Sequence, residues 1–160
     1  MTVFLTVLSG VITVFLTVLS GVITFVLGQL IIKLLVDPVH DLRKTVADIA
    51  LALIEYANVY ANPGVAGSEI EKKVSEELRR LSSRLNAQVY LIPCYPTTAR
   101  IFGLPSREKV VDAASNLIGL SNGVFQSASN LVSVNVERAD EIRNALGIFI
   151  PENEQVKLKK

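Results

Sequence analysis

The chain is expected to be all-α: one long N-terminal transmembrane helix over residues 1–36, then a small cytosolic helical bundle over residues 37–150. Three observations predict this. The stretch Thr2–Val36 is apolar, with no charged side chain before Lys33. It opens with a perfect tandem repeat, TVFLTVLSGVI filling Thr2–Ile12 and again Thr13–Ile23. Beyond it, apolar residues recur at the three- and four-residue spacing of amphipathic helices, between strong breakers.

The apolar run is long enough to cross a bilayer, whose hydrocarbon core of about 30 Å takes roughly 20 helical residues. Its Thr, Val, Ile and Phe would favour strands in water. In hydrocarbon a lone strand leaves its backbone N–H and C=O groups unpaired, whereas a helix pairs them internally, so a helix is expected. The segment from Thr13 to Leu35 already matches the core thickness. The additional copy adds about 16 Å at 1.5 Å per residue. Tilt, projection from the membrane, or a longer bundle of identical helices would absorb it.

An 11-residue unit makes about three helical turns, so both copies present the same face. At roughly 100° per residue, Thr6, Ser9, Gly10, Thr13, Thr17, Ser20, Gly21, Thr24 and Gly28 share one side. Phe4, Leu8, Val11, Phe15, Leu19, Val22, Leu30 and Leu34 take the other. Small residues let helix backbones approach in lipid, and hydroxyls can bond across the contact. The hydroxylated side is therefore the candidate pore or helix-packing face. The competing reading is that each Ser or Thr bonds back to a carbonyl of its own helix.

No basic residue precedes the span, while Lys33, Arg43 and Lys44 follow it; this predicts an outside N-terminus and a cytoplasmic C-terminal domain. The lack of a basic n-region and of a small-residue cleavage site favours a retained anchor over a signal peptide. A net charge of +1 gives no electrostatic reason to expect a nucleic acid duplex as partner. The single cysteine, Cys94, excludes an internal disulfide framework and fits a reducing compartment.

Asp37-Pro38 is expected to close the anchor and open a second helix, with Asp37 as its cap and Pro38 at the first helical position. Its stripe runs through Leu42, Val46, Ile49, Ala50, Leu53, Tyr56, Ala57 and Tyr60, and Asn62-Pro63-Gly64 ends it. Ser68 and Glu71 read as a capping box for a third helix. Ile70, Val74, Leu78, Leu81, Leu85 and Ile92 form its apolar side. Pro93–Pro105 reads as a turn-rich connector, yet Tyr95, Ile101, Phe102 and Leu104 make it too apolar to hang free. It is expected to pack on the domain or touch the membrane surface. A fourth helix starts at Ser106 and runs through Val110, Ala114, Leu117, Ile118, Ser121 and Phe125. Its opposite side, with Asn116, Gly119, Asn122 and Gly123, is unusually small and polar. The pattern loosens over QSASNLVSVN; a short last helix covers Val136–Leu146 before Gly147, and residues 151–160 form a solvated tail. The short loops predict an antiparallel bundle.

The residues that could carry chemistry are few, and no enzyme activity or cofactor is implied. His40 is the only histidine and Cys94 the only cysteine, so neither a zinc site nor a thiol pair can be assembled. A Cys-His dyad would need the fold to join them; the simpler expectation is an exposed His40 and a Cys94 packed as a small hydrophobe. Asp37, Asp41 and Asp48 suit a helix N-terminus. The glycines are isolated and form no phosphate-cradling motif. Lys73, Arg80 and Arg84, with Lys72 and Arg79 around them, are candidates for binding an anion, although the interleaved glutamates favour a solvated face of ion pairs. Arg43, Lys44 and Arg100 are candidates for contact with anionic head groups.

The order Gly28-Gln29, Lys33, Asp37-Pro38, His40, Arg43 and the block Tyr56-Ala-Asn-Val-Tyr60 resembles a set of small bacterial single-span membrane proteins with a helical cytosolic domain. Comparable anchored proteins include the membrane effectors of phage-defence systems such as Hailong. The resemblance covers the first third to half of the chain and implies a homo-oligomeric pore in the bacterial inner membrane; the duplicated repeat departs from the simple single-span pattern. The partners expected are then the lipid bilayer and further copies of the chain, with a regulatory nucleotide or protein left open. Three readings follow: a pore-forming membrane effector gated by its cytosolic domain, a membrane-tethered helical scaffold with no pore, and an anchored enzyme, which the missing chemistry disfavours.

Overall fold

The computed structural model describes residues 2–125 and 129–149. Every element among them is helical: α1 (Thr2–Ile31), a π-helical turn (Ile32–Val36), α2 (Asp37–Glu55), α3 (Ala57–Ala61), α4 (Ser68–Leu91), α5 (Tyr95–Phe102), α6 (Arg107–Gly123) and α7 (Ser129–Leu146). The all-α class expected from the sequence is the class adopted. The chain divides into two compact units, Met1–Asp37 and Pro38–Lys160. The tail expected over residues 151–160 lies outside the described residues.

In the first unit no residue of α1 is buried. Its 30 residues give a rod of about 45 Å, and Phe4 and Phe15 are 71% and 64% exposed. Near the N-terminus, and among the described residues, this is one helix long and apolar enough to cross a membrane. The backbone stays helical up to Pro38 instead of breaking at Asp37. Proline has no N–H, and its ring presses on the carbonyl four residues back, here Leu34. The turn before it widens, with Asp37 N–H bonded to the Ile32 carbonyl, the spacing of a π-bulge. Asp37 therefore sits within helical backbone rather than acting as a cap, and its carboxylate pairs with Lys33 at 3.0 Å.

The second unit is built on the expected stripes. Leu42, Ile49 and Leu53 of α2, Val74, Leu78 and Leu85 of α4, Val110, Leu117 and Leu120 of α6, and Ile142 of α7 are all buried in one core. Helix α4 packs on α6, and α6 on α7. Polar groups tie these contacts: Ser82 donates to the Ala114 carbonyl at 2.8 Å, Arg79 bonds Asn122, and Arg84 reaches Asp48 of α2 at 3.1 Å. Gly119 and Gly123, from the small, polar side of α6, form the seam for α7. Asn135, fully buried, donates to the Gly123 carbonyl at 3.2 Å and to the Tyr60 carbonyl at 3.0 Å. One turn away, Arg138 donates to the Gly119 carbonyl at 2.9 Å. Glycines at these two positions leave room for both side chains.

Local boundaries differ from the sequence expectations for identifiable reasons. The second helix breaks at Tyr56 (φ −98, ψ 14), close to where the Tyr60 hydroxyl takes the Leu53 carbonyl at 2.9 Å. No capping box forms at Ser68. Gly67, with φ 92, occupies the cap position, so Ser68 is already helical and no side-chain cap bond is made. Glu71 turns inward and is buried, while Ile70 is half exposed. The connector contains α5, a helix with a proline in its first turn, where a missing N–H costs nothing. Cys94 is exposed rather than packed, with φ 47; the buried position is that of Tyr95. The last helix begins at Ser129, well before Val136.

Burial pushes the Tyr60 hydroxyl above its usual 10.0. The folded state thus keeps a proton that the unfolded state releases first, so this contribution is complete below pH 10 and is lost as pH rises toward the folded value. Tyr60→Phe is expected to cost about 1 kcal/mol near neutral pH, the worth of one buried hydrogen bond. It should also flatten the alkaline fall in stability, as read from denaturant melts at neutral and alkaline pH.

Candidate functional site

The candidate face on α1 is a stripe of hydroxyls and glycines on a helix none of whose residues is buried. A Cβ built on Gly10, Gly21 or Gly28 meets nothing within 4 Å. The stripe's lower half satisfies its own donors. The Thr6 hydroxyl donates to the Thr2 carbonyl at 3.0 Å, Ser9 to Thr6, Thr13 to Ser9 and Thr17 to Thr13, each of these at 2.9 Å. Such back-bonding fills one donor per residue and leaves the oxygen's lone pairs facing outward. Ser20 and Thr24 make no such bond among the described residues. The face therefore presents acceptors and close backbone, without charge, and Lys33 beyond it is paired with Asp37.

The candidate anion binders lie on α4. Lys73, Arg80 and Arg84 are all exposed. Arg80 is engaged by Glu77 at 2.7 Å and Arg84 by Asp48 at 3.1 Å, and Lys72 faces Glu76 at 4.0 Å. The hydrogen bond and charge of Glu77 push the Arg80 pKa up. This is a surface laced with ion pairs, each contributing little to stability in water.

His40 and Cys94 are both exposed, and no hydrogen bond joins them among the described residues. No group of three or more His, Cys, Asp or Glu among the described residues is placed to hold a metal ion. A cleft that the sequence reading missed lies between α5 and the start of α6, with a volume of about 390 Å3. Buried Tyr95 and Ala99 line it, with Arg100 and Arg107 exposed beside them. Sequence spacing signals α5 alone and not the cleft: Tyr95, Ala99 and Phe102 recur at helical spacing, which puts Arg100 off the buried side.

Comparison with protein-family models, with curated proteins and with solved structures finds no match to the chain.

Proposed function

We propose that the chain is a single-span membrane effector that assembles with copies of itself and forms a pore. The observation that carries this reading is the segregated Thr/Ser/Gly face of α1, repeated at a period that keeps it on one side of a helix with no buried residue. Thr6, Ser9, Gly10, Thr13, Thr17, Ser20, Gly21, Thr24 and Gly28 would turn inward, and Phe4, Phe15, Leu8 and Leu19 would face lipid. Lysine and arginine beyond the span favour a cytoplasmic C-terminal unit and an outside N-terminus. The resemblance to small bacterial anchored proteins supports the inner membrane as the site and defence against phage as the setting. The helical unit would then gate the assembly. A pore lined by hydroxyl oxygens, with no ring of charge, selects weakly for the sign of an ion.

A second reading is favoured by a specific observation. Because Thr6, Ser9, Thr13 and Thr17 satisfy their donors within their own helix, the face can also pack dry, as the seam of a tethered scaffold. One experiment separates the two. Replacing Thr13, Thr17 and Thr24 by valine and Ser20 by alanine preserves apolarity and insertion. For a pore, the wild-type protein releases dye or ions from liposomes and the variant loses most of that release. If neither releases anything while both insert, the scaffold reading holds.

A further inference from the structure

The cleft between α5 and the start of α6 brings an apolar floor and two guanidinium groups together. Its volume of about 390 Å3 lies in the range of small-ligand sites, which are mostly apolar with a few convergent polar groups. Buried Tyr95 and Ala99 and half-buried Leu104 form the floor. The Tyr95 hydroxyl already donates to the Pro105 carbonyl at 2.8 Å, which leaves its ring as lining. Arg100, Arg107 and Glu108 stand exposed around it. The Arg107 guanidinium lies 4.8 Å from the centre of the Tyr90 ring, a contact that orients the charge without neutralising it. Arg100 has no hydrogen bond or ion pair among the described residues. Two arginines against one glutamate leave a single net positive charge around the cleft.

Guanidinium forks suit phosphate oxygens, and one net charge suits a phosphodiester. We propose that this cleft holds the head group of an anionic phospholipid. Connectivity selects lipid over a free anion. Arg43 donates to the Phe102 carbonyl, which ties the end of α5 to a point seven residues beyond Val36. Seven residues of chain reach at most about 25 Å. The proposal rests on the reading that α1 spans the bilayer; given that, the short tether keeps lipid head groups at a high effective concentration around this unit. Tyr90 and Ile101, 76% and 73% exposed, are side chains of the kind that settle at head-group level.

The test uses the full chain, labelled at Cys94 with a polarity-sensitive fluorophore. Cys94 is the only cysteine, is exposed, and precedes Tyr95 of the cleft. The protein is mixed with vesicles of phosphatidylcholine alone or containing phosphatidylglycerol, and flotation and fluorescence are both read. Dimethyl phosphate added to the phosphatidylcholine sample supplies the free-anion arm. The expected result is flotation with both vesicles and a fluorescence shift with phosphatidylglycerol only. Arg100→Gln/Arg107→Gln, with an unchanged circular dichroism spectrum, should still float with both and need about tenfold more phosphatidylglycerol for the shift. Flotation with both but no shift, or a double variant that responds like wild type, overturns the cleft and leaves the span standing. An equal shift with dimethyl phosphate overturns the assignment to lipid. Flotation and shift with phosphatidylglycerol vesicles alone would keep the cleft and remove the spanning reading, and flotation with neither removes both.

Discussion

Gly123→Ala is expected to lower the stability of the helical unit by about 2–3 kcal/mol, although alanine is the better helix former by up to about 1 kcal/mol. The reason is local. A Cβ at Gly123 would stand 2.1 Å from Asn135 Oδ1 and 2.9 Å from both Cγ and Nδ2. Asn135 cannot yield: it is fully buried, and its amide holds the Tyr60 and Gly123 carbonyls. Moving it leaves both acceptors without that donor in the interior, where an unmade hydrogen bond is costly. Gly119→Ala is the internal control. Its Cβ would approach Arg138 Nε at 2.7 Å, but Arg138 is only partly buried and its long side chain can swing aside. Urea melts of the full chain in detergent should rank wild type above Gly119→Ala, and Gly119→Ala well above Gly123→Ala. Equal stability for the two variants would mean that the Asn135 seam does not hold α3, α6 and α7 together.

Gly21→Leu is expected to weaken self-association in membranes about tenfold. Nothing among the described residues opposes this change, because a Cβ at Gly21 meets none of their atoms within 4 Å, and leucine favours both helix and lipid. Any loss must therefore come from a contact between copies, where a bulky side chain holds backbones apart. Leu19→Ala, on the opposite side, should change association little. A membrane two-hybrid assay or energy transfer between labelled copies reads both.

The helices were legible in the sequence where a buried stripe carried them. Leu42, Ile49 and Leu53, or Val74, Leu78 and Leu85, are spaced by burial itself, and the core follows them. What local pattern missed was decided by single contacts. Gly67, at positive φ, takes the cap position that the composition of Ser68 and Glu71 assigns to Ser68. The Tyr60 hydroxyl reached back to Leu53 where the helix breaks, and widening of the backbone before Pro38 carried helical structure past the expected stop. On α6 the small, polar side was visible, but only the position of Asn135 and Arg138 explains why Gly119 and Gly123 belong there. The α1 stripe follows from period alone once Thr2–Ile31 is helical. The cleft at Tyr95 was not, because it needs the spatial meeting of α5 with α6, which sequence spacing does not supply.

The central claim is that the Thr/Ser/Gly face of α1 meets the same face of other copies. A cysteine-crosslinking scan along α1 in native membranes, in a Cys94→Ser background, tests it most directly. Single cysteines at Thr6, Thr13, Thr17, Ser20 and Thr24 should crosslink efficiently, and cysteines at Phe4, Phe15, Leu19 and Val22 poorly, with a helical period through the repeat. Crosslinking strongest on the Phe4–Phe15–Leu19 side, or equally weak at every position, would contradict the account.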